Sequence, residues 1–298
     1  MSRDISLHKT SLYGDRPSNE DVEKYNMNLL VDGNALDSRY SPVDFFLVCD
    51  GHGGREVADF VAPLLEKHLM KKGLEYPLTQ NYINTIYSHI QNKVIEHPKK
   101  IGKECGSTAL VVIRYLKNSH KYLQVINLGD CRSILSRKGL AIPLSKDHKP
   151  FWPDEKHRIH NVNKKHGTKE KIRFDFGDWR IGDLSVSRSF GDLDNAPYIS
   201  HIPDSFNYQL QNDDEFVVLV CDGITDIFQN HEIVNFIRDH MVDNHIELYN
   251  IPKFYPRDEI RNQINIARKL AEYAIAIGLE GDIKMDNLSV LIVFFKAY

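Results

Sequence analysis

The sequence predicts an α+β layered domain. Short apolar runs rich in β-branched and aromatic residues recur along the chain, and segments of helical period lie between them. The runs between Ala109 and Ser136 also follow one another too closely for parallel crossovers, which favours antiparallel pairing.

In chain order, Phe45–Cys49 is the first strand expected, because it is apolar throughout and stops at Asp50-Gly51. Val57–Leu69 follows as a helix with Val57, Phe60, Val61, Leu64, Leu65 and Leu69 on one side, and Asn81–Ile95 repeats that pattern. Ala109–Tyr115, Tyr122–Leu128 and Ile134–Ser136 are strands bounded by Gly, Asn or Asp, as is Phe216–Cys221. Glu259–Ile277 is a third amphipathic helix, and Leu288–Phe295 closes the chain as a strand. Between these lie segments read as irregular, His148–Asp183 and Asp243–Asp258, the first long enough to flank a site. No repeat or Pro/Ser-rich linker divides the chain, so residues 1–298 are expected to form a single domain with a variable flap at 148–183.

Composition narrows the function classes. A formal net charge of −3 gives no global attraction to nucleic acid or anionic lipid, and no apolar run is long enough to span a bilayer. Cys49, Cys105, Cys131 and Cys221 are scattered without C-x-x-C spacing, which fits a reducing, intracellular setting, cytoplasmic or nuclear. Strand alternation points Cys49 and Cys221 away from the acids that follow them, as small buried hydrophobes.

The informative residues are carboxylates at strand ends. Asp50 follows Phe45–Cys49 and opens Gly51-His52-Gly53-Gly54, Asp222 follows Phe216–Cys221 and precedes Gly223, Asp286 stands before the last strand, and Asp130 ends Tyr122–Leu128 behind Gly129. Glu20-Asp21 adds acids after a turn-like stretch, with Arg16 just upstream. A single Asp beside Gly is ordinarily a turn former. Several converging carboxylates repel one another and call for a hard cation, and an all-oxygen set selects Mg²⁺, Mn²⁺ or Ca²⁺.

Further motifs stand in order around these acids: Gly106-Ser107-Thr108-Ala109, Gly129-Asp130-Cys131-Arg132, Asp147-His148-Lys149-Pro150, Glu155-Lys156 with Arg158-Ile159, Leu184 to Asp192, Asp222-Gly223-Ile224-Thr225-Asp226 and Asp286-Asn287-Leu288-Ser289. With Arg16, Glu20-Asp21 and Asp50 to Gly54, they make the chain resemble the metal-dependent protein serine/threonine phosphatases of the type 2C (PPM) family. The resemblance implies a central β-sandwich of two antiparallel sheets flanked by helices on both outer faces. It also implies two Mg²⁺ or Mn²⁺ ions bridged by Asp50, one completed by Asp222 and Asp286, the other by Glu20 and the Gly51 carbonyl. Asp21 would stand behind the ligands or join through a water, Asp130 would help hold a weaker third ion, and Arg16 would clamp the phosphate. A water activated between the paired ions would attack phosphorus while His52 protonates the departing alkoxide. The implied partners are phosphoprotein substrates, met by a monomer. Cys131 and Thr225 depart from the family's usual Ser and bulky aromatic, and neither change removes a ligand. Lys164, Lys165, Lys169, Lys171 and Arg173 make the flap basic.

Rival readings are a catalytically inactive relative kept for binding, an aspartyl-phosphate phosphohydrolase and a calcium-binding structural protein. Every acidic position is filled, which weighs against the first, and Asp50-Gly51-His52 lacks the Asp-x-Asp pattern of the second.

Overall fold

The computed structural model describes residues 5–27, 30–31, 34–35, 43–167, 172–175, 177–247 and 265–295. Its strands are β1 (Ser6–Leu12), β2 (Val22–Asn26), β3 (Asp44–Cys49), β4 (Ala109–Lys117), β5 (His120–Leu128) and β6 (Arg132–Arg137) in the first half. They continue as β7 (Leu140–Pro143), β8 (Ile172–Asp175), β9 (Asp178–Ile181), β10 (Asp204–Gln209), β11 (Asp214–Val220) and β12 (Leu288–Phe294). Shorter pairings join Leu30–Val31 to Asn34–Ala35, and Gly106–Ser107 to both Gly51–His52 and Phe190–Gly191. The helices are α1 (Glu56–Leu69), α2 (Gln80–Ile95), α3 (Pro153–His166), the one-turn α4 (Asp222–Thr225), α5 (Asn230–Glu247) and α6 (Ile266–Glu280).

Two five-stranded sheets dominate, ordered β1-β12-β11-β6-β7 and β10-β5-β4-β3-β2, with antiparallel neighbours throughout. Period-two alternation then sets the layers. In β3, Phe45, Leu47 and Cys49 pack against α1 and α2, whereas Phe46 and Val48 turn inward. In β11, Phe216, Val218 and Val220 face α5 and α6, whereas Val217 and Leu219 meet Phe46, Val48, Leu110 and Val112 from the other sheet. The result is the expected helix–sheet–sheet–helix sandwich. Each fully buried Val, Leu, Ile or Phe along these strands contributes about 1.5–3 kcal/mol of hydrophobic stabilisation.

The segment expected to be irregular is corrected. Residues Pro153–His166 form α3, and β8 pairs with β9 as a hairpin. The apolar period is missing there because the buried stripe of α3 is Glu155, Ile159 and Asn163. Its end signals are nonetheless good: Pro153 in the first turn with Asp154 and Glu155, then Lys164, Lys165 and His166 before a left-handed Gly167 at φ 63°. Asp243–Glu247 likewise finish α5 rather than begin a loop, while 248–258 and the start of the third expected helix, 259–264, lie outside the described residues.

The start of α6 carries a pH dependence. The Ile266 N–H donates to His8 Nδ1 at 3.2 Å, and the His8 ring packs edge-on against Phe294. Burial lowers the His8 pKa from 6.5 to about 4. The unfolded chain therefore binds the extra proton first, so stability from neutral His8 is present above pH 6.5 and is lost as pH falls towards 4. The full loss is about 3 kcal/mol. In urea melts between pH 7 and pH 4, the wild type is expected to lose this stability relative to His8→Gln. Parallel pH profiles for the two would remove the assignment.

Candidate metal centre and active site

Strand ends deliver the acids. After β3, the Asp50 N–H donates to Thr108 Oγ1 (3.0 Å), and its carbonyl accepts from the Thr108 N–H (2.9 Å), tying the turn to the head of β4. Beside it, a Cβ added to Gly51 would lie 2.5 Å from the Glu20 carbonyl oxygen, so only glycine lets the N-terminal loop approach this closely. At the head of β12, Asn287 fastens that loop. Its Oδ1 accepts from the Glu20 N–H (2.8 Å), and its Nδ2 donates to the Tyr13 and Ser18 carbonyls (both 2.9 Å). The Glu20 carboxylate accepts from the Gly54 N–H (3.2 Å) and the Ser18 hydroxyl (3.2 Å).

These ties bring Arg16, Glu20, Asp50, Gly51, His52, Asp130, Asp222 and Asp286 to the wall of one cleft of about 530 Å³. Asp21 does not line it. It is buried beside Asp50, and neither of its carboxylate oxygens has a hydrogen-bond partner. Asp21, Asp50 and Cys221 place donor atoms within 4.8 Å of one another. Cys221, read from sequence as a small hydrophobe, is thus buried but shares the group, and burial pushes its thiol well above the usual range, so it stays protonated.

Burial and the neighbouring Asp222 push the Asp50 carboxyl well above the ordinary carboxylate range. Burial and Asp130 raise Asp222 to about 8, and burial raises Asp21 to about 6. Carboxylates held together at such cost, with the bare oxygens of Asp21 among them, fit a hard divalent cation. The described residues therefore have metal-binding capacity at this cluster.

Arg16 reaches Asp286 Oδ2 at 2.6 Å with half of its side chain in solvent. His52 Nε2 lies 2.9 and 2.8 Å from the two oxygens of Asp192, which also accepts from the Ser189 hydroxyl. Burial alone would lower the His52 pKa, but the Asp192 carboxylate reverses this and raises it. Gly106 makes room for the pair, since a Cβ there would lie 2.2 Å from Asp192 Oδ2 and 2.3 Å from His52 Nε2.

Sequence reasoning passed over Asp192, Lys149 and Asp226, although each stands inside a motif quoted above. Lys149 and Asp226 line the cleft, together with Asp178, Arg180 and Asp183 from the β8–β9 hairpin and its exit, which carried no signal. Of the basic flap residues named above, Arg173 is the one whose ion pairs are described. Arg173 pairs with Asp183 (3.1 Å) and Asp175 (3.5 Å), and Lys169 and Lys171 lie outside the described residues.

A sandwich with this acidic cleft defines a class, and comparison with known proteins identifies it. The family model for Protein phosphatase 2C matches residues 8–283. A PP2C-like domain-containing protein, R307, of Acanthamoeba polyphaga mimivirus is 61% identical over 180 residues, covering 60% of this chain and 98% of that protein. Probable protein phosphatase 2C 69 of Arabidopsis thaliana is 32% identical over 258 residues, covering 85% of this chain, which spans only 62% of the plant protein's length. Among solved structures, a C. elegans sex determining protein superposes with a TM-score of 0.75 at 24% identity, over 98% of this chain and 65% of that one, a likeness of fold. The chain belongs to the protein phosphatase 2C family.

Proposed function

We propose that the chain hydrolyses phosphoserine and phosphothreonine in protein substrates, using two Mg²⁺ or Mn²⁺ ions held by Asp50, Asp222, Asp286, Glu20 and the Gly51 carbonyl, with Asp21 behind them. The convergence of these residues, from strand ends of both sheets and the N-terminal loop, on one cleft carries the reading. When bound, divalent ions supply positive charge to the phosphoryl oxygens and acidify an attacking water. The chain's own groups do the rest. Arg16, at the cleft wall and half exposed, presents a planar fork to two phosphate oxygens. With Nε2 occupied by Asp192, His52 has Nδ1 free to give a proton to the leaving alkoxide. No helix among the described residues is long and apolar enough to cross a membrane. The reading extends to a monomer that meets phosphoproteins in the cytoplasm or nucleus.

Phosphoserine and phosphothreonine peptides should be turned over with millimolar Mn²⁺ or Mg²⁺, and EDTA should stop the reaction, because carboxylate and water sites hold such ions weakly. Full turnover in a metal-stripped, EDTA-treated preparation would exclude the mechanism. No turnover with any metal would leave the inactive binding protein.

A further inference from the structure

One cation in the cleft belongs to the protein itself. Lys149 Nζ lies 2.5 Å from Asp130 Oδ2, with the two side chains 16% and 2% exposed. The same ammonium acts on Asp222, Asp178 and Asp226. Its position is built in from both sides. Next to Lys149, His148 is buried, with its N–H donated to the Gly129 carbonyl (2.9 Å), Nδ1 accepting from the Gly129 N–H (3.0 Å) and Nε2 against Asp204 (3.1 Å). Next to Asp130, the Gly129 carbonyl also accepts from Asn127 Nδ2 (3.1 Å), which in turn holds the Lys146 carbonyl (2.9 Å). Lysine and aspartate thus stand on two crosslinked backbone segments. A lysine fixed in this way, facing carboxylates on several elements, occupies the place a further cation would take.

We propose that the Lys149 ammonium is the resident cation of the Asp130 end of the cleft, so that any divalent ion beyond the Asp50 pair must displace it. Lys149 thereby sets how many ions the centre holds at a given metal concentration. The inference rests on the metal-dependent reading above. Among the described residues the ion pair of Lys149 is with Asp130, and on this proposal ions at Asp50, Asp286 and Glu20 would bind whether Lys149 is present or not.

The test is titration of the full chain with Mn²⁺ alone, followed by calorimetry and by the resonance of free Mn²⁺, with no substrate present. Lys149→Gln and Lys149→Met, which keeps the unbranched stem, should each tighten the weakest binding event by at least ~10-fold, since a divalent ion no longer meets a fixed positive charge. Lys149→Arg should behave as the wild type, and adding Asp130→Asn to Lys149→Gln should abolish the gain. Unchanged affinity and stoichiometry in both neutral variants would overturn the proposal, as would weaker binding, which would make Lys149 a support of the ion. Failure of the wild type to bind any Mn²⁺ is a different result, and it would remove the metal-dependent reading itself.

Discussion

Asp50→Asn should abolish turnover, by at least ~10³-fold, while leaving the protein at least as stable as the wild type in EDTA. On the proposed two-ion mechanism, the catalytic loss follows from taking away the carboxylate that would join the cations, whose charge would supply several kcal/mol of transition-state stabilisation. The stability result follows from its surroundings. Asp50 is held well above its ordinary pKa by burial and by Asp222, so its ionised form is disfavoured in the fold. A raised folded pKa means that the stabilising, protonated form is fully present below the unfolded pKa of about 3.8 and is lost as pH rises. Near neutral pH the neutral amide escapes that loss, and the advantage of Asp50→Asn should shrink as pH falls towards 4. Added Mn²⁺ should raise the melting temperature of the wild type and not of the variant, because only the wild type gains by mass action. Thermal melts at several pH values, with EDTA or Mn²⁺, read both effects. A variant that unfolds in EDTA would make Asp50 a structural turn residue.

How far the fold is legible in the sequence depends on burial. The expected strands became β3, β4, β5, β6, β11 and β12, which are the interior strands of the two sheets. Those missed in these two sheets, β1, β2, β7 and β10, are the four edges. An interior strand is covered on both faces and flanked on both sides, so its residues read as an apolar run. An edge strand such as Val22–Asn26, with Glu23, Lys24 and Asn26, keeps polar side chains that blunt its open rim, and the run disappears. Helix α3 was hidden for a related reason, because it buries Glu155 and Asn163 where an amphipathic helix would bury leucines. At the centre, the acids were legible because each stands at the tip of an interior strand or beside the Arg16 turn. Asp192 and Lys149 were not, since a lone carboxylate and a lone lysine in a polar stretch look alike until the fold brings His52 and Asp130 to them.

Glu155→Gln should destabilise the fold by about 3–5 kcal/mol, because it breaks a buried ionic network while leaving its cations in place. Burial alone would raise the Glu155 pKa, yet Arg188 and Arg158 hold it at about 2. Arg188 donates to Oε1 at 2.9 and 2.5 Å, and Arg158 donates to Oε2 at 2.9 Å. The two guanidinium groups carry the network onward. Arg188 reaches Asp204 (2.9 Å) and the Ile202 carbonyl (3.0 Å), and Arg158 reaches the carbonyls of Tyr198 and Ser187 (both 2.8 Å). Asp204 also holds His148, the residue that fixes the backbone of Lys149. Helix α3 is therefore tied to β10 by charge, in addition to the apolar cluster that joins its Ile159 and Val162 to Ile181, Leu184, Tyr198 and Ile199. With the folded pKa depressed below 4.5, the contribution of Glu155 is present above that pH and lost as pH falls towards 2. In denaturant melts, wild type and Glu155→Gln should differ fully at pH 6 and converge progressively as pH falls from 4.5 towards 2. Pairing Glu155→Gln with Arg188→Met should cost less than the sum of the single changes, because the double variant no longer strands a buried guanidinium. A loss under about 0.5 kcal/mol for Glu155→Gln would place α3 among the weakly held surface elements.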